Sequence, residues 1–325
     1  MVITIRNMHI PEDYEGTAVL LSTFYSEPIT VQRMREEDAA IPQKGALTRD
    51  ENGRLTGHDR QRLVAVNESG KIIGYGCSWR ASWTAPGTLY QKVLVDPAER
   101  KNGIGREIYA KLAAYADENG ADKIVGMVRD DDLDSQAYAS GRGFVRDRHQ
   151  FESLIELDGL APETDGGSAD APEGITLTTL AQDPGEEMEK RIYELYRKTY
   201  PDIPGSEGEF MWYSQWRKES LERESFDPSL FLLALDGNKP VGAAELYEMK
   251  ETNSVYNLYT CVDGDYRGKG IALALKRASI YLAKERGYGY IRTNNDSQNA
   301  PMLTINRKLG YVPVPGYYRM FKILE

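Results

Sequence analysis

The chain has 325 residues, 41% of them hydrophobic and 28% charged, and a formal net charge of −10. At about 100–200 residues per domain there is room for two domains, and the composition is that of a globular chain, not of a disordered or fibrous one. The acidic balance without a basic stripe argues against a nucleic-acid partner, and no apolar run approaches the ~18 residues that would cross a membrane.

The first residues, MVITIRNMHIPEDYEG (1–16), lack the basic and apolar regions of a secretory signal, so the cytoplasm is expected. Cys77 and Cys261 lie far apart and, in that setting, are expected as reduced thiols. His9, His58 and His149 form no cluster with metal-ligand spacing, so no metal is expected.

Residues 26–61 are polar and charged and read as a mobile loop that includes His58. RLVAV (62–66), the turn NESGK (67–71) and KIIGYGCSW (71–79) predict an antiparallel hairpin. LYQKVLV (89–95) predicts a third strand, followed by a Gly-bearing loop. Ile104, Ile108, Leu112 and Tyr115 then recur at helical spacing, and Gly120 is placed to end that helix in a left-handed cap. KIVGMV (123–128) reads as a strand, and a last helix and strand follow. DGLAPETDGGSADAPEG (158–174) has no apolar periodicity and reads as a linker.

The same order then returns. LFLLAL (230–235), the turn DGNK (236–239) and PVGAAELYE (240–248) predict a second hairpin, and VYNLYTCV (255–262) a third strand. Ile271, Leu275, Ala278 and Leu282 mark a helix, Gly287 its cap, and YIRT (290–293) a strand. A constant shift of 167 positions brings Val95 onto Val262, Arg100 onto Arg267, Gly103 onto Gly270, Gly120 onto Gly287 and Gly143-Phe144 onto Gly310-Tyr311. Upstream the shift is 168, as Ile73-Gly74 meets Val241-Gly242, which one extra residue in a connecting loop would explain. The chain is thus a tandem repeat, with one domain over 1–157, the linker over 158–174 and a second domain over 175–325.

Both third strands run into the pattern R-x-x-G-x-G/A: Arg100-Lys101-Asn102-Gly103-Ile104-Gly105 and Arg267-Gly268-Lys269-Gly270-Ile271-Ala272. A helix start presents unpaired N–H groups and partial positive charge, and glycine lets a phosphate approach the backbone. Such a turn can hold a pyrophosphate. The P-loop pattern is absent from both copies, and the dinucleotide fingerprint needs a parallel βαβ unit where antiparallel strands are expected here.

On VDPAERKNGIG (95–105), VDGDYRGKGIA (262–272) and the G-[FY] pairs, the chain resembles the GNAT superfamily of acyl-CoA N-acyltransferases over nearly its whole length apart from the linker. Its tandem layout is similar to that of mycothiol synthase-like bacterial acetyltransferases. The resemblance implies an α/β (α+β) fold of two GNAT-like domains, each a mixed, mostly antiparallel sheet flanked by helices with a splayed central strand pair. It implies acetyl-CoA as acyl donor, held by Val95 with Arg100–Arg106 in one copy and by Val262 with Arg267–Leu273 in the other, and by Asn299. The implied reaction is direct attack of a small-molecule primary amine on the thioester in a ternary complex, in a monomer or homodimer. Two alternatives stand beside it: a non-catalytic acyl-CoA-binding or regulatory protein, and a protein-lysine acetyltransferase.

The family's usual proton-donating tyrosine, four residues before the G-[FY] glycine, is replaced by Ala139 and by Asn306. Tyr138 is the fallback acid, with a core aromatic as its alternative role. Asn306 could hydrogen-bond the donor or the backbone but is a poor proton donor. Glu245 and Glu248 are base candidates that strand alternation sends to opposite faces, each with a solvated carboxylate as its alternative. Asp263 and Asp265 read as surface loop residues. The stretch 199–220 gathers Tyr200, Phe210, Trp212, Tyr213 and Trp216 with Glu207 and Glu209, which suits a cationic amine or, alternatively, packs into the core. The second domain is therefore expected to be the catalytic half.

Overall fold

The computed structural model describes residues 2–40, 45–160, 171–206, 209–223 and 226–324. The first half contains β1 (Thr4–Asn7), α1 (Tyr14–Ser22), α2 (Val31–Ala40), β2 (Ala46–Arg49), β3 (Leu55–Val66), β4 (Ile72–Arg80), β5 (Thr88–Val95), α3 (Ile104–Glu118), β6 (Lys123–Arg129), α4 (Leu133–Ser140) and β7 (Val145–Glu156). The second contains β8 (Ile175–Thr179), α5 (Glu186–Thr199), α6 (Tyr213–Ser220), β9 (Phe231–Asp236), β10 (Lys239–Met249), β11 (Ser254–Val262), α7 (Ile271–Glu285), β12 (Tyr290–Asp296), α8 (Ala300–Lys308) and β13 (Val312–Ile323).

These elements form two compact units. One holds the chain up to Arg148, the part from Tyr317 onward and a short stretch ending at Met211; the other holds His149–Ser206 and Trp212–Gly316. Beyond that short stretch, the units differ from a division at the linker in two places. Residues of β7 from Gln150 to Glu156 pair antiparallel with β12 in the second unit. Residues of β13 from Tyr317 to Ile323 pair antiparallel with β6 in the first. Each unit takes a strand from the opposite half of the sequence, which covers an edge that would otherwise be bare. Of the expected linker, residues 161–170 lie outside the described residues.

In the first unit, β3 pairs antiparallel with β1, β2 and β4, and β4 with β5. β5 and β6 run parallel. Helix α3 buries Ile104, Ile108, Leu112 and Ala116 on one face of this sheet. It packs so close that a Cβ on Gly76 would lie 2.3 Å from the Ile108 side chain. Helices α1 and α2 cover the other face with Tyr14, Leu20, Leu21 and Met34. The stretch 26–61 is therefore not the loop expected. Apart from 41–44, which lie outside the described residues, much of it is α2, β2 and the start of β3, with His58 opposite Ala46. The charges that suggested a loop are internally matched: Asp38 accepts from Tyr14, Arg60 (2.7 Å) and Arg62 (2.9 Å).

The second unit repeats the plan. β9 pairs with β8 and β10, and β10 with β11, all antiparallel, while β11 and β12 run parallel. Ile271, Leu275 and Ala283 of α7 pack on Leu232, Ala234, Val241 and Ala244. Ile192, Leu195 and Tyr196 of α5 are likewise buried. Cys77 and Cys261 are both free and buried.

A chain of residues 1–157 expressed alone lacks the strand that covers β6, and carries β7 without its partner. It is expected to be aggregated or swapped by size-exclusion chromatography. Co-expression with 158–325 is expected to restore a soluble complex with native-like circular dichroism.

Candidate donor loops and transfer site

Each loop is built by the same local chemistry. Asp96 and Asp263 follow the third strand, and each carboxylate caps a one-turn 3₁₀ helix, accepting from the N–H of Ala98 and Asp265 respectively. Asp263 is therefore not the surface residue expected. It is 3% exposed, sits 2.7 Å from Lys198, and its pKa is lowered by Lys198 and by the Asp265 N–H against the opposing effect of burial. Asp265, by contrast, is largely exposed. Arg100 and Arg267 then run extended, and Gly103 and Gly270 adopt φ 85°, the left-handed conformation that turns the chain into α3 and α7. The first helical bonds are Glu107 N–H to the Gly103 carbonyl and Ala274 N–H to that of Gly270. The preceding amides are thus left for a ligand. Lys101 takes φ 67° where the second loop has Gly268 at φ 75°.

Beneath each loop the parallel pair splays. β5 and β6 pair only over Thr88–Tyr90, and β11 and β12 only over Ser254–Asn257. In the first unit the divergence opens a cavity of about 830 Å³. Gln91–Val95 and Gly126–Arg129 line its walls, and all of Arg100–Arg106 line its mouth. A Cβ on Gly105 would point into this space, 3.4 Å from Val95 and 3.9 Å from the Tyr138 hydroxyl. Tyr138 lines the cavity and is not a core aromatic; its hydroxyl is buried without a hydrogen-bond partner. Burial raises its pKa, and Arg142 stacks on its ring at 3.4 Å. Lys92, Arg106, Arg129 and Arg142 also line this space and, with Arg100 and Lys101, outnumber Glu99, Asp132 and Asp134 there, an excess suited to a polyanion. The residues present thus fit a pyrophosphate-bearing donor with an extended arm.

The second unit differs at the same place. β4 and β5 keep one register from Gly74–Val95 to Trp79–Tyr90. In β10 and β11 the pairs pass from Glu245–Tyr259 straight to Leu246–Asn257, so Leu258 is a bulged residue. Glu245 sits at this bulge. It is 6% exposed, not solvated, and accepts from the Tyr196 hydroxyl at 3.0 Å. Burial pushes its pKa up to about 7, opposed by the Tyr196 hydrogen bond. Tyr196 packs edge-on against Trp216 (5.6 Å) and Tyr259 (4.9 Å). Trp216 of the 199–220 stretch is thus core, whereas Trp212 is 57% exposed. Glu209 is exposed, and Glu207 lies outside the described residues. Glu248 is only partly buried and accepts instead from Tyr288 at 2.9 Å. In the first unit, Cys77 stands two strand positions from Tyr75 and pairs with Lys92, the place Glu245 holds opposite Tyr259.

Asn306 is 2% exposed and donates to Asn295 Oδ1 at 2.6 Å, while its own Oδ1 is unpartnered. Asn299 caps α8 by accepting from the Met302 N–H, as Asp132 caps α4 through Ser135. Sequence reasoning missed Tyr196, Leu258, Asn257 and Lys276. Asn257 donates to the Glu245 carbonyl at 3.2 Å, and Lys276 donates to Asn257 Oδ1 at 2.9 Å.

The sequence model of the acetyltransferase (GNAT) family matches residues 21–144 and again 189–311. The chain belongs to the GNAT acetyltransferase family. Being GNAT, it is an acyl-CoA-dependent acetyltransferase in tandem form. A mycothiol acetyltransferase of Clavibacter michiganensis subsp. michiganensis is 26% identical over 259 residues, covering 77% of this chain and 76% of that one. Another, of Thermobifida fusca, is 25% identical over 276 residues, covering 78% and 80%. The fold is shared with a tandem GNAT protein of the clavulanic acid biosynthesis pathway, at TM-score 0.76 and 17% identity over 99% of this chain and 98% of that one. It is also shared with a GCN5-related N-acetyltransferase of Sphaerobacter thermophilus, at TM-score 0.72 and 19% identity over 99% and 95%. No helix among the described residues is long and apolar enough to cross a membrane.

Substituting Gly105→Val puts a branched side chain between Val95, Val93 and Tyr138. It is expected to weaken CoA binding in the first unit at least about tenfold, roughly 1.4 kcal/mol, with unchanged circular dichroism. Calorimetric titration with CoA checks this.

Proposed function

We propose that the chain moves an acetyl group from acetyl-CoA to the primary amine of a small molecule, and that the second unit performs the transfer. The observation that carries this reading is Glu245, a buried carboxyl at a strand bulge with its pKa near 7. A base is most effective when its pKa lies near the working pH. Glu245, oriented by Tyr196, would take the proton of the incoming ammonium. The N–H of bulged Leu258, freed from the ladder, would donate to the oxygen that gains charge as the amine attacks the thioester; the C–S bond would then break, CoA leaving as the thiolate and taking up the nitrogen's second proton. Val262, Arg267, Gly268, Lys269, Gly270, Ile271 and Ala272 would hold the pyrophosphate, with Asn299 and Asn306 bordering the arm. When bound, the donor supplies the activated acyl group; positioning it against the amine is the larger part of the rate gain. The mycothiol acetyltransferase relatives support a small acceptor, and the exposed Trp212 near buried aromatics suits a cationic one.

In the first unit Val95, Arg100, Lys101, Asn102, Gly103, Ile104, Gly105 and Arg106 would hold a second donor molecule, with Tyr138 reaching it. That unit has an open cavity but neither the bulge nor a carboxyl in the Glu245 position. This favours a binding rather than a transferring role for it.

Free CoA release from acetyl-CoA over a panel of small amines and lysine peptides tests the reading, which fails if no small amine is turned over. Glu245→Gln is expected to lower kcat about 10²–10⁴-fold. For the wild-type chain, log kcat/KM is expected to rise with unit slope up to about pH 7 and then level. Because the folded carboxyl titrates above its ordinary 4.5, folding takes up a proton, and stability is lost as pH rises from 4.5 to about 7. Glu245→Gln is therefore also expected to raise Tm at pH 8, checked by scanning calorimetry.

A further inference from the structure

Lys276 lies on α7 in the second unit and is 1% exposed. Its Nζ donates to Asn257 Oδ1 at 2.9 Å and sits 4.7 Å from the Tyr311 ring centre. Desolvation alone acts on it, lowering its pKa to about 7. An amine held without a carboxylate in the interior gives up its proton readily, because burial disfavours the ammonium. Nothing in the shared fold requires this. The 167-residue shift places Tyr109 at the corresponding position of α3, where the strand below has no bulge.

The contacts of Asn257 show what the lysine does. Its Oδ1 also accepts from Thr260 Oγ1 at 3.0 Å. With both donors on Oδ1, the amide must turn Nδ2 toward the carbonyls of Glu245 (3.2 Å) and Tyr259 (3.4 Å). Those two residues are the last ordinary pair before the bulge. The chain of bonds therefore runs from α7, through one asparagine side chain, to both strands at the point where Leu258 leaves the ladder. A bulge interrupts the ladder and bends its strand, so the aim of the residues beside it depends on contacts from outside the ladder. In the first unit, by comparison, Gln91 donates to the Leu112 carbonyl of α3 at 2.8 Å; that strand is tied to its helix with no cation.

We propose that Lys276 is a positioning residue which, acting through Asn257, holds the β11 bulge in register and so places the Leu258 N–H and the Glu245 carboxyl against the reacting groups. The inference rests on the second unit being the one that transfers.

Lys276→Met removes the donor while keeping a long side chain. Expected are a kcat at least about tenfold lower, a KM for acetyl-CoA within about twofold of wild type, and an unchanged or higher Tm. Hydrogen exchange, which needs no substrate, is expected to quicken at the amides of 257–259 and not in β9 or β12. Adding Asn257→Ala to Lys276→Met is expected to cost little more, since both act through one link. A Tm that falls together with kcat, or unaltered exchange at 257–259, would overturn the inference. Glu245→Gln in the same CoA-release assay separates the two readings. If it keeps the wild-type rate, the assignment of transfer to the second unit fails. If it is inactive while Lys276→Met keeps its kcat, the role of Lys276 fails and the assignment stands.

Discussion

In both units a parallel strand pair hydrogen-bonds for only three or four residues and then diverges. Main-chain groups along the diverging strands lose their partners in the interior, where an unpaired N–H or C=O is costly. Water, a ligand arm or protein side chains must then serve them. The helix that starts above each opening adds further unpaired amides, turned toward it by a left-handed glycine. Strand divergence and helix start are thus one device: the first makes a slot, the second places an anion cradle at its mouth.

The two copies complete the slot differently. In the first, small or apolar groups such as Gly126, Val128 and Ala139 leave it open. In the second, the corresponding positions are Thr293, Asn295 and Asn306, and they are joined in hydrogen bonds: Thr293 to the Asn257 carbonyl, Asn306 to Asn295, and Asn295 to Ser153. Of this polar set, Thr293 reaches the strand beside the bulge. On the reading proposed above, the open slot would hold a donor and the polar, bulged one would align the reaction.

Much of this was legible in the sequence because it depends on backbone rules. Gly103 and Gly270 must occupy left-handed turns, and Gly120 and Gly287 end their helices at φ 57° and 77°. Apolar spacing marked α3 and α7. The change of shift from 168 to 167 is not the single loop residue that the sequence suggests. Trp79 and Tyr90 pair across ten intervening residues, Tyr247 and Tyr256 across only eight. The second connection is therefore two residues shorter and its strand one residue longer, and the net difference hides both. The longer strand was on view in VYNLYTCV (255–262) beside LYQKVLV (89–95), eight letters against seven, but length alone does not tell a bulge from a longer strand. Lys276 was hidden for another reason. It shares a helical stripe with Ser279 and Ala283, yet a lysine is ordinarily assigned to solvent. The exchanged strands were not legible at all, because an antiparallel edge accepts any strand of matching pattern, whichever half supplies it.

That exchange bears on how the molecule is made. Translation proceeds at about 5–20 residues per second, and domains commonly fold as they leave the ribosome. Here the first unit cannot close when its own helices have emerged, because the strand that seals β6 begins at Tyr317. For tens of seconds the nascent chain carries an unsealed edge, a period in which chaperone capture, or pairing with a second nascent copy, competes with correct closure.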